Sequence, residues 1–266
     1  MAVKYCTGKS SSSSSTRRTH NASANASPAT QQSLAVQEVM RGPATGTVGA
    51  NSALTPSLNT APANSASVVA TADGAADAYL TSAAIFSGLA AFSIGQSINA
   101  QSAVSYQAYL SRFGAPEQVG ARFRNRFTGS TFATTTLATE SELDSLSTRF
   151  ENLQGYLGAG IRYLSNNTSN ITIGSCRTRC SAHPAWGAWT CPESGSHAIG
   201  LCPPFWNASR GEQGTMIIHE LAHQRYQLEN HNAGSLRQRG RNPECYASYA
   251  ADLFGFSSYS GQCPPI

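Results

Sequence analysis

The first seventy residues restrict what this chain can fold into more than any other feature, because large apolar side chains are scarce there. Ser, Ala, Asn, Thr and Pro fill most of the segment. A stretch of that composition cannot bury enough surface to offset the conformational entropy lost on folding. We therefore predict a disordered low-complexity tail over residues 1–70, with a short helix over Leu34–Met40, and a folded part over residues 71–266.

The folded part has the hydrophobic spacing of helices in several places. Between Asp73 and about Arg112, Ala is frequent, Pro is absent and apolar residues recur every three or four positions, which indicates a helix. Asn242 followed by Pro243 is typical of a helix start. Helices are predicted over residues 73–112, 140–164, 215–228 and 243–254, and strands over residues 171–173 and 197–201. The sequence thus predicts an α+β fold, mostly helical with a small sheet.

Six of the seven cysteines lie in the last third of the chain, whereas Cys6 stands alone in the tail. An even set confined to one region indicates disulfides and an oxidising destination. The alternative is a zinc knot built on Cys176 and Cys180, but their C-x3-C spacing has no matching second pair. Disulfide-rich loops are therefore predicted for the set Cys176, Cys180, Cys191, Cys202, Cys245 and Cys263.

Charge and hydropathy limit the partners and the location. Only 12% of the residues are charged and the net charge is +4, so we predict no nucleic-acid partner. No apolar core follows Lys4 as a secretory signal would require, and Ala83–Ile98 is too short and too polar to span a bilayer. The cysteines nevertheless predict a secreted, extracellular protein, without a recognisable signal peptide and without a membrane span.

The segment Thr215–His223 contains the motif H-E-x-x-H, formed by His219, Glu220 and His223. Residues four apart on a helix lie about 40° apart around its axis, so both imidazoles can reach one zinc ion. Glu220 flanks the metal and can take a proton from a water bound to it, then pass that proton to a leaving amine. The structural alternative is two histidines that are simply satisfied on a buried helix.

Two histidines and a water leave one zinc ligand to find. His231 follows His223 by eight residues in a loop, and Glu244 follows it by 21 residues at a predicted helix start. Without a metal role, His231 would be an exposed loop residue and Glu244 a first-turn carboxylate that favours the helix dipole. Asp252 is predicted to orient a ligand histidine from outside the metal shell. Spacing alone leaves His231 and Glu244 both open.

Three blocks of this sequence resemble the deuterolysin and lysine-specific metalloendopeptidase family, the aspzincins. They are Cys202–Trp206, Gly214–His223 and Asn242–Ala247, which are similar to a C-P-x-F-F block, the H-E-x-x-H helix and an N-A-D-x-Y/H helix start. The resemblance extends over about residues 100–266. It implies a zincin-like metalloprotease fold and endopeptidase activity, with His219 and His223 as zinc ligands and Glu220 as the base.

The chain departs from this family just after the motif. The family has G-T-x-D-x-x-Y-G there, which supplies an aspartate ligand and a tyrosine that stabilises the oxyanion, whereas Leu228–Gly234 contains neither residue type. His231 falls close to the place of that aspartate. Glu244 matches the aspartate of N-A-D, a position associated with recognition of a basic side chain. Tyr246 or Tyr249 is the candidate oxyanion donor.

The expected function is that of a zinc-dependent endopeptidase acting on a protein or peptide substrate, with a preference for basic residues, as a secreted effector or toxin. A second enzyme hypothesis is a zinc hydrolase with a narrow, non-protein substrate. The non-enzyme alternative is a binding or structural protein whose zinc only stabilises the fold. The number of protein ligands distinguishes either enzyme from the non-enzyme alternative. Structural zinc sites are closed by four ligands, whereas catalytic sites keep a position for water.

Overall fold

The computed structural model of the protein describes residues 64–96, 104–165, 170–193, 195–229, 231, 234–254 and 263–266. These residues form an α+β fold in which helices predominate. The helices are α1 Ser65–Gly95, α2 Val104–Phe113, α3 Thr135–Gly158, α4 Pro203–Asn207, α5 Arg210–Tyr226, α6 Leu236–Arg239 and α7 Pro243–Leu253, with a 3₁₀ helix at Cys180–Ala182.

The strands are short and form three small sheets. They are β1 Glu117–Val119, β2 Arg122–Arg124, β3 Thr131–Phe132, β4 Arg162–Ser165, β5 Ile171–Ile173, β6 Cys176–Thr178, β7 Ala188–Trp189 and β8 Ala198–Leu201. The sheet beside α5 has the order β4-β8-β7, with β4 parallel and β7 antiparallel to β8. Strands β1, β2 and β3 form an antiparallel sheet, and β5 pairs with β6.

The main core lies between α1, α3, α5 and α7. The apolar stripe predicted on α3 is buried there, with Leu143, Leu146, Phe150, Leu153 and Leu157 all at most 3% exposed. Helix α5 approaches α1 closely at a glycine: a Cβ added at Gly214 would lie 3.2 Å from the backbone nitrogen of Ala76. Any side chain at that position would push α5 away from the core that fixes its position.

Several of the predicted boundaries differ from the structure. Helix α1 begins at Ser65, inside the segment assigned to the tail, because Val69 is buried in the core at 1% exposure. Helix α3 ends at Gly158 rather than at residue 164, since Gly160 has a φ of +99° and residues 162–165 pair with β8 instead. The other predicted tail elements, Leu34–Met40 and Cys6, lie outside the described residues.

Helix α5 begins at a capping signal that the hydrophobic pattern alone does not reveal. The helix begins at Arg210, five residues before the predicted start at Thr215. Ser209 and Glu212 form a capping box, in which the Ser209 hydroxyl accepts from the Glu212 N–H and the Glu212 carboxylate accepts from the Ser209 N–H. His219 therefore lies in the third turn of the helix, and His223 lies in its last turn.

Helix α1 is long and apolar enough to cross a membrane by length and composition alone, with an 18-residue window of mean hydropathy 1.4. Half of that window is buried inside the protein, against α3 and α5. This is the packing of a core helix, so the described residues contain no clear membrane span.

All six clustered cysteines form disulfides, which confirms the prediction and excludes a zinc knot at Cys176 and Cys180. The first two bridges hold the loops around β5, β6 and β8, and the third ties the start of α7 to the C-terminal residues. The pairs are Cys176–Cys191, Cys180–Cys202 and Cys245–Cys263. Three disulfides are compatible with an extracellular protein.

The corrected start of α1 predicts that Val69 contributes to stability. We expect Val69→Ala to lower the free energy of unfolding by about 1–3 kcal/mol, because buried methyl groups are lost and a cavity remains. Val68→Ala is the matched control, since Val68 is only partly buried on the same turn, and should cost less than half as much. Urea unfolding followed by circular dichroism measures both. Equal effects would contradict the burial of Val69.

Candidate metal centre

Helix α5 places the H-E-x-x-H residues on a firmly buried scaffold. Ile217, Ile218, Leu221 and Ala222 are all fully buried, so the apolar sides of the helix are fixed against the core. His219 and Glu220 are themselves buried at 8% and 6% exposure, and His223 is half-buried. The helix can therefore present the two imidazoles and the carboxylate with little freedom to turn away.

His219 and His223 face each other along one side of α5. Their Nε2 atoms lie 2.9 Å apart, and their ring planes are inclined at 72°. Tetrahedral zinc sites with Zn–N bonds of 2.0–2.1 Å hold their nitrogen ligands roughly 3.3 Å apart. The observed separation is close to that value, and a small rotation about the side-chain torsions would make up the difference.

The end of α5 brings the following residues back past the histidines. Gln227, just after the helix, is in the left-handed conformation, with φ 51° and ψ 43°. The chain reverses there, so that the carbonyl oxygen of Leu228 lies against Nδ1 of His223 and accepts a hydrogen bond from it.

His231 joins the two helical histidines. The ligand nitrogens of His219, His223 and His231 all lie within 4.8 Å of one another, so the three residues could hold a metal ion. The His231 ring centroid is 5.4 Å from that of His219 and 5.0 Å from that of His223. Because His231 is exposed, this side of the cluster is the side that meets solvent.

Glu244 approaches the cluster from α7, but it contacts Nδ1 of His219 rather than Nε2. Its Oε1 lies 3.5 Å from Nδ1 of His219, the ring nitrogen that does not face His223. That distance is at the long limit of a hydrogen bond, so we describe the contact as electrostatic. Of the two residues that the sequence left open, His231 presents its ligand atom to the cluster, whereas Glu244 contacts the back of His219.

The protonation of the two helical histidines fits a cation between them. A neutral imidazole has one N–H, and in His223 we assign it to Nδ1, because the Leu228 carbonyl can only accept. Nε2 of His223 is then unprotonated, and its lone pair points at Nε2 of His219. Two such nitrogens 2.9 Å apart repel each other unless a proton or a metal ion lies between them, so the geometry suits either occupant.

The pKa values follow from burial and from the neighbouring charges. Burial, helped by the charge of His219, lowers the pKa of His223 to about 3 and so keeps that ring neutral. Burial would also lower the pKa of His219, but Glu244 and Glu220 outweigh it and leave that pKa raised. Burial raises the pKa of Glu220 to about 7; His219 opposes the shift and Glu244 adds to it. The site therefore holds a carboxylate that can exchange a proton near neutral pH.

The structure does not bring Tyr246 into this cluster. Tyr246 is fully buried, and its hydroxyl donates to the Gly240 carbonyl at 3.0 Å and accepts from Arg149 at 2.5 Å. Residues two apart on a helix point about 200° apart, so Tyr246 faces away when Glu244 faces His219. The catalytic role that the sequence suggested for Tyr246 has no support in this position.

Tyr249 and Asp252 also have other partners. The Tyr249 hydroxyl is buried in the core and shares a hydrogen bond of 2.9 Å with Ser87. Both oxygens of Asp252 accept from Arg112, at 2.5 and 2.7 Å, so this carboxylate anchors α2 to α7 and orients no histidine.

Three contributors to the site were not predicted from the sequence. Gln227 carries no signal for a left-handed residue, because Gly or Asn usually occupies such a position. The Leu228 contact uses a backbone carbonyl, which any residue type would supply. Gln224, beside His223, donates to the Ala198 carbonyl at 2.7 Å and to the Thr190 hydroxyl, which ties α5 to β8.

No protein-family model, curated protein or solved structure matches this chain.

The left-handed turn at Gln227 predicts a sensitive position. We expect Gln227→Val to lower stability by about 1–2 kcal/mol, because a β-branched residue is strained at positive φ. It should also weaken the binding of added zinc, because the turn places the Leu228 carbonyl against Nδ1 of His223. Gln227→Asn is the control and should retain both properties, since Asn tolerates this conformation. Thermal unfolding and competition with a chromophoric chelator measure the two effects, and wild-type values for the Val variant would refute the proposed role of the turn.

Proposed function

We propose that this protein is a zinc-dependent endopeptidase with a zincin-like metalloprotease fold, a divergent relative of the aspzincins. The observation that carries the proposal is the pair of Nε2 atoms 2.9 Å apart on α5, with His231 beside them and Glu220 buried next to them. The resemblance in the three sequence blocks supports the peptide substrate. Each feature has a structural explanation by itself, but together they supply both a metal site and a base.

The zinc ligands in this proposal are His219, His223 and His231. Each is an imidazole, the ligand type that zinc accepts alongside thiolate and carboxylate. Three protein ligands leave a fourth position for water, which is the arrangement of catalytic rather than structural zinc sites. The exposed side chain of His231 places that open side towards solvent, where a substrate can enter.

Bound zinc would lower the pKa of a water molecule and polarise the carbonyl of the scissile bond. Glu220 accepts the proton of the attacking water on its carboxylate and then donates it to the leaving amine. A cation bound beside Glu220 would lower its pKa from about 7, so the carboxylate would be ionised and able to accept a proton at neutral pH. Burial of Glu220 keeps bulk water from exchanging this proton freely.

The proposed substrate preference depends on Glu244. A preference for basic residues rests on the match between Glu244 and an acidic position of the aspzincins. Because this carboxylate faces His219 at 3.5 Å, we expect a weaker basic preference than the resemblance implies. The three disulfides support action outside the cell, as a secreted effector or toxin.

The competing function is a binding or structural protein that zinc stabilises. Such a site would be closed by a fourth protein ligand. Glu244 is the candidate for such a fourth ligand, but it contacts the nitrogen of His219 that faces away from His223. This geometry favours the endopeptidase. A hydrolase for a small non-protein substrate would share the same chemistry and differ only in what it cleaves.

Glu220→Gln separates catalysis from metal binding. We expect the variant to retain one zinc per chain and to lose casein hydrolysis by about 10²–10⁴-fold, because the amide cannot accept the proton. A chelator should abolish the wild-type activity, and added zinc should restore it. Zinc content by elemental analysis and release of labelled peptides from casein are the measurements.

Glu151→Gln on the exposed side of α3 is the control and should keep both zinc and activity. Equal hydrolysis by the wild type and Glu220→Gln would exclude Glu220 as the base. A wild type that binds zinc but cleaves neither casein nor a peptide library would favour the binding protein or the small-substrate hydrolase. A wild type without stoichiometric zinc would refute the whole proposal.

Zinc affinity should depend on pH in a defined direction. The pKa of His219 is raised, so below that pKa a proton occupies the place that the metal needs. We expect the zinc dissociation constant to increase by about tenfold for each pH unit below the pKa of His219, and to level off above it. Chelator competition across a pH series measures this. An affinity that is constant or rises on acidification would contradict the assignment.

A further inference from the structure

We propose that Glu244 is a positioning residue: its carboxylate fixes the Nδ1–H tautomer and the ring orientation of His219, and it does not ligate the metal. The inference rests on the metal site of the proposed function. It assigns a role to Glu244, the candidate ligand that is not among the three proposed zinc ligands. It also explains why Glu244 should contribute only weakly to the recognition of a basic substrate side chain.

The geometry of the contact carries the assignment. Glu244 Oε1 lies 3.5 Å from Nδ1 of His219, while Nε2 of His219 faces His223. Nδ1 is a buried atom without a hydrogen-bond partner among the described residues. The Glu244 carboxylate is the group that can offset the cost of burying it. Both side chains are shielded, at 11% and 15% exposure, which strengthens their attraction compared with a surface pair.

The backbone of Glu244 is held in place on both sides. Asn242 caps α7 and accepts the Glu244 N–H at 2.9 Å, with Pro243 fixing the first turn. Cys245 is bonded to Cys263, and Tyr246 is buried with its hydroxyl on Gly240. The start of α7 is therefore rigid, and the Glu244 side chain reaches His219 from a fixed point.

The two helical histidines then receive equivalent support from different sources. His223 donates its Nδ1–H to the backbone carbonyl of Leu228, and His219 directs its Nδ1 at the Glu244 carboxylate. Histidines that bind metals almost always donate their other nitrogen to a carbonyl or a carboxylate, and loss of such a partner typically costs 10–100-fold in metal affinity. In this protein the carboxylate also raises the basicity of the His219 ring.

Zinc affinity and histidine tautomers test this role without requiring catalysis. We expect Glu244→Ala to weaken zinc binding by about 10–100-fold. Glu244→Gln should weaken it less, because the amide oxygen keeps a partial negative charge facing Nδ1 of His219. His231→Ala should weaken it more than either variant, since a ligand is lost. Competition with a chromophoric chelator gives the three dissociation constants, and cobalt substitution reports the ligand set from the visible absorption spectrum.

The metal-free protein provides a second readout. In long-range ¹H–¹⁵N spectra, we expect His219 of the wild type and of Glu244→Gln to carry its proton on Nδ1, and Glu244→Ala to show a mixture of tautomers. Glu212→Ala is the matched control, because Glu212 is also a first-turn carboxylate, on α5. It should lower thermal stability while leaving the His219 tautomer and the zinc affinity of the folded protein unchanged.

Several results would overturn the inference. Wild-type zinc affinity and a wild-type tautomer in Glu244→Ala would show that the carboxylate only favours the helix dipole. A change in the cobalt spectrum of Glu244→Ala as large as that of His231→Ala would show that Glu244 is a ligand. If the wild type binds no zinc, the proposed function fails, and the tautomer measurement still decides whether Glu244 positions His219.

Discussion

The site depends on one turn of α5 that holds the Nε2 atoms of His219 and His223 2.9 Å apart. Two neutral imidazoles do not take up this arrangement by themselves, because their lone pairs repel. The arrangement persists because each ring is held from behind, by the Leu228 carbonyl and by the Glu244 carboxylate, and because the helix beneath them is buried. A proton or a cation between the two nitrogens would relieve this repulsion, which is why the pair is a candidate metal site.

Much of the fold serves to keep that turn in place. Helix α1 packs closely against α5 at Gly214, and Gln224 ties α5 to β8. Helix α7 packs along α5 and brings Glu244 to the back of His219. The disulfide Cys245–Cys263 and the Arg112–Asp252 ion pair fix α7 in turn. A metal site built this way needs few residues of its own, since the rigidity comes from the surrounding helices.

Sequence reasoning was successful where the signal is local. The buried stripe of α3, the cap of α7 at Asn242 and the disulfide use of the clustered cysteines all follow from spacing or composition, and the structure has each of them. It failed where a distant partner decides. Tyr246 looked available next to Glu244, but its hydroxyl is bound to Arg149, which lies 97 residues away in the chain. Asp252 is likewise bound to Arg112, 140 residues away.

The sequence by itself determined the core of the site. Two histidines and a glutamate at helical spacing within an apolar segment can present both imidazoles to one ion, since the helix period alone sets their angular separation. Only the tertiary structure shows that His231 presents its ligand atom to the pair while Glu244 contacts the other side of His219, because each lies on a segment whose path depends on contacts outside it. The packing of α7 against α5 places Glu244 behind His219.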